Sequence, residues 1–104
     1  METYEIQFSI KAKEDLRDMI AYIKNELLEP TIALKYAQTI KKEIKKLEQL
    51  PERFAVIDID SKKCENIRKL VVKNYVIFYR ISEAEKTVQI LRILYGGSDW
   101  ENIL

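Results

Sequence analysis

A chain of 104 residues, 47% hydrophobic and 34% charged, is long enough to bury a core of its own and too apolar to stay disordered. Its 18 basic and 17 acidic side chains leave a net charge of +1, so the overall balance selects no class of partner. With no histidine, one cysteine and only two glycines, the composition excludes histidine-dependent nucleophiles, clustered thiolate metal sites and glycine-rich phosphate loops.

Residues Tyr4 to Phe8 alternate apolar and polar, the period of a strand with one buried face. Ser9 stands where a helix N-cap belongs. Beyond it, Leu16, Ile20, Ile23 and Leu27 recur at three- and four-residue spacing with Met19 beside them, while Lys13, Glu14, Arg17, Asp18 and Lys24 mark a wet face. Glu29 and Pro30 interrupt the pattern, and Thr31 offers a cap for a second helix. That helix keeps Ala33, Tyr36, Ala37, Ile40, Ile44 and Leu47 on one stripe and stops before Pro51. Lys41, Lys42, Lys45 and Lys46, interleaved with Glu43 and Glu48, read as its solvated side. The short break predicts an antiparallel helical hairpin.

From Pro51 to Glu65 the chain is irregular, and then the period changes to two. Ile67 to Val72 and Tyr75 to Ser82 are expected to be strands joined by a Lys73-Asn74 turn, in which the asparagine suits positive φ better than the lysine. After a turn over Glu83 to Lys86, Thr87 to Tyr95 forms a further strand. Val88, Ile90 and Leu94 alternate there with Leu91 and Ile93, so both faces must be at least partly covered. The expected fold is α+β, one domain over 1–104. An N-terminal strand and a helical hairpin pack on a curved antiparallel sheet in the order β-α-α-β-β-β.

No apolar run approaches the roughly 18 residues of a membrane span. The stretch from Met1 to Phe8 lacks the basic-then-apolar order of a secretory signal. The lone Cys64 can close no internal disulfide, in keeping with a reducing compartment. A cytoplasmic protein with no membrane contact, no metal and no cofactor is expected.

The chemistry that remains is cationic and phenolic. Between Lys62 and Arg80 six basic residues, Lys62, Lys63, Arg68, Lys69, Lys73 and Arg80, accompany one acid, Glu65. Arg68, Lys69, Lys73, Tyr75, Tyr79, Arg80, Arg92 and Tyr95 all fall in the last three strands or their turns. Such groups neutralise phosphates or acidic side chains, stack on bases and anchor peptides. A solvated strand edge guarded by lysines, with tyrosines that merely pack the sheet, is the plainer reading of the same residues. Trp100 either seals the core or anchors a partner.

Several segments together resemble the RelE/ParE superfamily, the toxin halves of type II toxin–antitoxin modules. They are FSIKAKEDL (8–16), LEQLPER (47–53), IRKLVVKNYVIFYRI (67–81) and TVQILRILYGGSDW (87–100), and they occur in the family's order. The resemblance implies a cognate antitoxin as partner, with operator DNA contacted only through it. RelE-like members cut messenger RNA on the ribosome with Lys, Arg and Tyr and no metal, whereas ParE-like members poison DNA gyrase. This chain departs from the RelE pattern where Val76 follows Tyr75 and where Ser98 stands two residues after Gly96. Lys69 matches one of the sheet's catalytic lysines and Ile67 stands at another. A ParE-like toxin with Arg68, Lys69, Lys73, Tyr75, Arg80, Arg92, Tyr95 and Trp100 binding its partners is therefore the leading expectation. The alternative is a ribosome-dependent endonuclease using Lys69 with Arg80 or Arg92.

Overall fold

The computed structural model describes residues 3–54, 56–57 and 66–97. Cys64, Ser98 and Trp100 lie outside that set, so the expectations placed on them are not addressed by the fold.

Strand β1 (Glu5–Phe8) leads into helix α1 (Ile10–Ala21) through Ser9, whose Oγ accepts from the Ala12 amide at 2.9 Å, as its N-cap position predicts. Helix α1 runs on as a π-type turn over Tyr22–Glu26, closed by the Leu27 amide on the Tyr22 carbonyl. A π turn takes up one residue more than an α turn, which rotates the residues beyond it by about 100°. Leu27, expected on the buried stripe, is therefore 52% exposed, and Leu28 beyond it adopts φ 54°.

Helix α2 spans Pro30–Lys45, with Glu29 rather than Thr31 at its N-cap. Pro30 takes the first helical position, where a missing amide hydrogen costs nothing, so no side-chain cap was needed for the boundary. Ala33, Ala37, Ile40 and Ile44 form its buried stripe, continued by Leu47. Two short 3-10 turns, Lys46–Glu48 and Pro51–Arg53, come next.

Strands β2 (Arg68–Val72), β3 (Tyr75–Ser82) and β4 (Thr87–Tyr95) form the expected antiparallel meander. Strand β1 adds to β4 in parallel, Glu5 opposite Thr87 and Phe8 opposite Ile90, so the sheet is mixed, in the order β1-β4-β3-β2. The pairing direction is set by the helical hairpin: two antiparallel helices return the chain to the side on which it started. At the β2–β3 turn the left-handed conformation falls on Lys73, φ 57°, and not on Asn74.

The two helices cover one face of the sheet, over Leu70, Val72, Ile77, Tyr79, Val88, Ile90 and Ile93. The opposite face carries a second, smaller apolar cluster of Ile67, Val76, Phe78 and Leu94, with Ile57 and Leu91 against it. Both faces of β4 are thus at least partly covered, as its sequence requires, but Ile93 joins Val88 and Ile90 under the helices while Leu94 joins Leu91 on the other face, the reverse of strict alternation. The register slips between Phe78 and Tyr79, which pair with Arg92 and Ile90 and leave Leu91 as the extra residue of a bulge.

Candidate functional site

Past Phe8 the outer edge of β4 loses its parallel neighbour, and helix α1 takes over the pairing. The Ser9 amide donates to the Ile90 carbonyl and its hydroxyl to the Leu91 carbonyl, at 2.9 and 2.8 Å. Asp15 then accepts from the Ile93 amide at 3.0 Å and from the Arg92 guanidinium at 2.7 and 2.9 Å, a two-pronged pair mostly shielded from water. Charge-assisted contacts of this geometry are strong and directional. The hydrogen bond that Arg92 donates to Asp15 raises the Arg92 pKa above its already high ordinary value, which keeps the guanidinium charged. Arg92 is therefore a clamp between helix and strand, and is not free to meet a phosphate.

Arg68 has a comparable task. Its guanidinium donates to the carbonyls of Glu52 and Phe54, at 3.1 and 2.5 Å, and ties the loop after α2 to β2. Behind it the Tyr79 ring is fully buried, with its hydroxyl on the Pro51 carbonyl at 2.7 Å, and burial pushes its pKa up to about 12. Tyr75 and Tyr79 both pack toward the helices, the plainer of the two readings of these tyrosines. Among the expected cations Lys69, Lys73 and Arg80 are exposed, Arg80 donating to the Gln89 side chain at 2.7 Å. Lys69 stands opposite Phe78, beside the buried Val76. No tyrosine accompanies Lys69 and Arg80 on that face, where the apolar cluster sits instead.

The tyrosines gather elsewhere. A groove of about 640 Å³ opens between the end of α1, the flank of α2 and the β3–β4 end of the sheet. Tyr22, Tyr36, Tyr75 and Tyr95 line it together with Met19 and Leu27. The rings of Tyr36 and Tyr75 meet edge to face at 6.4 Å, and those of Tyr75 and Tyr95 at 6.0 Å. Burial raises the Tyr75 pKa, so its hydroxyl stays protonated and can donate. Two close approaches hold the groove's rim. The Gly96 amide donates to the Asn74 carbonyl at 2.8 Å, where a Cβ on Gly96 would come within 3.3 Å of that oxygen. A Cβ on Gly97 would lie 3.1 Å from the Tyr95 ring.

An apolar groove with phenolic hydroxyls on its walls suits an inserted protein side chain better than a reaction. Tyr22, Tyr36, Leu27 and Asp15 were not singled out for this role by the sequence. Asp15 alone carried a usable signal: it lies on the inner flank of α1 beside Leu16, and an acid there requires a partner. Among the described residues no three His, Cys, Asp or Glu side chains come together as a metal site, and no helix is long and apolar enough to cross a membrane.

A helical hairpin on a mixed four-stranded sheet in this order is the fold of the small toxins of the RelE/ParE superfamily. Residues 6–100 match the family described as ParE toxin of the type II toxin–antitoxin system parDE, and the chain belongs to that family. Among solved structures it is similar to the chromosomal ParDE system of P. aeruginosa, with a TM-score of 0.72, 26% identity, and coverage of 91% of this chain and 98% of that one. The RelBE2 toxin–antitoxin complex of Mycobacterium tuberculosis shares the fold at a TM-score of 0.62 and 22% identity, over 91% and 93% of the two chains. A free-state structure of a mutant E. coli RelE toxin does so at 0.67 and 11%, over 97% and 92%. Comparison with curated protein sequences gave no match.

Proposed function

We propose that this toxin arrests growth in the ParE manner, by inhibiting DNA gyrase, and that a cognate antitoxin neutralises it. The observation that carries the reading is the fate of the cations. Cutting RNA without a metal requires several positive groups aimed at one phosphate as charge develops. Here Arg92 is committed to Asp15 and Arg68 to backbone carbonyls, while the position after Tyr75 is the buried Val76. Among the described residues Lys69, Lys73 and Arg80 remain exposed, with Lys73 out at the β2–β3 turn, a sparse set for a ribonuclease centre. Membership of the ParE toxin family supports the same choice.

The antitoxin's place is the tyrosine groove and the adjoining hairpin tip, where Leu27, Leu28, Tyr22 and Tyr95 are all more than half exposed. Apolar side chains from an extended or helical antitoxin segment would fill the groove, and an acidic stretch would meet Lys73 and the sheet edge. Operator DNA would be contacted through the antitoxin. Purified toxin is expected to inhibit supercoiling by gyrase and to lose that effect on adding antitoxin, while leaving ribosome-bound transcripts intact. Supercoiling unaffected at large toxin excess would remove the gyrase assignment, and cleaved transcripts would replace it with the ribonuclease.

A further inference from the structure

The lysines of α2 read from sequence as an ordinary wet face softened by Glu43 and Glu48. The fold keeps them solvated, as expected, and gathers them on one side of the helix. At about 100° per residue, Lys41, Lys45, Lys42, Lys35 and Lys46 fall on one continuous arc of roughly 140°, opposite the buried Ile40–Ile44 stripe. All five are exposed. Leu34 and Gln38 are interspersed on the arc, and neither acid lies on it. Glu43 sits to one side, paired with Lys46 at 3.0 Å, and the half-buried Glu48 sits to the other. Lys35, Lys41, Lys42 and Lys45 form no ion pair among the described residues.

The positive surface continues beyond the helix at both ends. A shallow depression of about 340 Å³ between α2 and the β2–β3 turn is lined by Lys35 and Lys73, with Tyr36 and Thr39 beside them. A second, of about 350 Å³, lies among Lys42, Lys45, Lys46 and Arg53, with Glu48 the one acid on its wall. Arg53 holds its place there by donating to the Lys46 and Gln49 carbonyls. From Lys35 to Lys46 the helix rises about 16 Å, the length of roughly five phosphate steps along one strand of a duplex.

We propose that this face of α2 is a docking surface for the phosphate backbone of duplex DNA, read without regard to sequence. The chemistry separates it from the other candidate partners. Single-stranded nucleic acid calls for aromatic platforms, and the arc has none. A protein partner calls for an apolar anchor in a pocket, and the tyrosine groove along the Tyr36 flank of α2 supplies that. Rows of exposed point charges with no stacking surface suit phosphates. The choice of DNA rests on the gyrase reading: a toxin seated on an enzyme that holds a duplex would meet it with a free cationic face. Duplex DNA and antitoxin would then take neighbouring faces of α2 that meet near Tyr36 and Lys73.

The test is binding of the free toxin to a labelled duplex of about 20 base pairs, followed by anisotropy from about 50 to about 200 mM salt. Four phosphate contacts at about 0.9 each predict a slope of log K against log salt between about −3 and −4. The variant Lys35→Gln/Lys42→Gln/Lys45→Gln should flatten the slope by about 2 to 3 and lower affinity at least tenfold at the lowest salt. Replacing the same three lysines by arginine should restore binding. Lys11→Gln/Lys13→Gln/Arg17→Gln removes as many charges from α1 and should leave binding within about twofold. A Lys42→Glu single variant serves if the triple glutamine variant fails to fold, and should still lose about tenfold.

Equal binding by wild type and the α2 variants overturns the proposal. So does polyglutamate competing as well as duplex of equal charge, which would make the surface a receptor for acidic protein. Single strands that bind more tightly than duplex overturn it too. A toxin that inhibits gyrase but leaves the duplex unbound rejects the DNA surface alone; one that binds duplex through α2 without inhibiting gyrase rejects the gyrase reading alone.

Discussion

Helices α1 and α2 look alike as amphipathic patterns, yet the protein uses their charges in opposite ways. Helix α1 carries Lys11, Lys13 and Arg17 against Glu14, Asp15 and Asp18, and sends Asp15 inward to pair with Arg92 and cap the β4 edge. Helix α2 carries Lys35, Lys41, Lys42 and Lys45 against Glu43, and turns every one of those lysines to solvent. Charge in the first helix helps hold the fold together, and in the second it stays in solvent. The lesson concerns placement: an ionic residue's role depends on which side of the helix it occupies, and not on how many neighbours of like or opposite sign it has in sequence.

The comparison can be broken most forcefully at Asp15. Asp15→Ala should cost about 3 to 5 kcal/mol by urea unfolding, because Arg92 is then left poorly solvated and unpaired. Glu14→Ala or Asp18→Ala on the same helix should change stability by no more than about 0.5 kcal/mol. The double change Asp15→Leu/Arg92→Met should recover much of the loss, since removing both partners of a shielded pair leaves no orphan charge. A loss at Asp15 no larger than at its neighbours would refute the structural role of α1.

Next in size is an alkaline transition set by Tyr79. Its folded pKa, about 12, lies above the ordinary 10 of a tyrosine, so the neutral form is the one the fold favours. The contribution is complete below pH 10 and declines as pH rises toward 12, by about 1.4 kcal/mol per unit. Tyr79→Phe should remove that slope and cost about 1 kcal/mol at neutral pH through the lost bond to the Pro51 carbonyl. Persistence of the same alkaline slope in Tyr79→Phe would show that another group governs it.

The smallest effects belong to α2 and its surroundings. Lys41→Gln or Lys42→Gln should move the unfolding midpoint hardly at all, within about 0.5 kcal/mol, even where partner binding changes. Lys73→Gly should stabilise by up to about 1 kcal/mol, because lysine at φ 57° is strained where glycine is not. A destabilised glycine variant would mean that side-chain contacts of Lys73 outweigh the relieved backbone strain.

The order of elements, the N-cap at Ser9, the helical hairpin, the meander and the doubly apolar β4 were all legible in the chain, because each rests on local periodicity or a local turn. Membership of the toxin superfamily was legible for the same reason, through short segments kept in order. The parallel addition of β1, the π turn that exposes Leu27, and the left-handed Lys73 were not. Each is settled by how distant elements meet, and no window of a dozen residues contains that information.

The site divides along the same line. Which residue types were on hand was already written in the chain: many cations, several tyrosines and no histidine. It took the folded molecule to bind Arg68 to backbone and Arg92 to Asp15, to bring Tyr75 into a groove with Tyr22, Tyr36 and Tyr95, and to leave Lys35, Lys41, Lys42 and Lys45 without an ion pair among the described residues. A side chain's propensity is a property of its near neighbours in sequence. Its partner and its share of solvent depend on residues as far apart as Asp15 and Arg92, which meet only when the sheet closes against the helices.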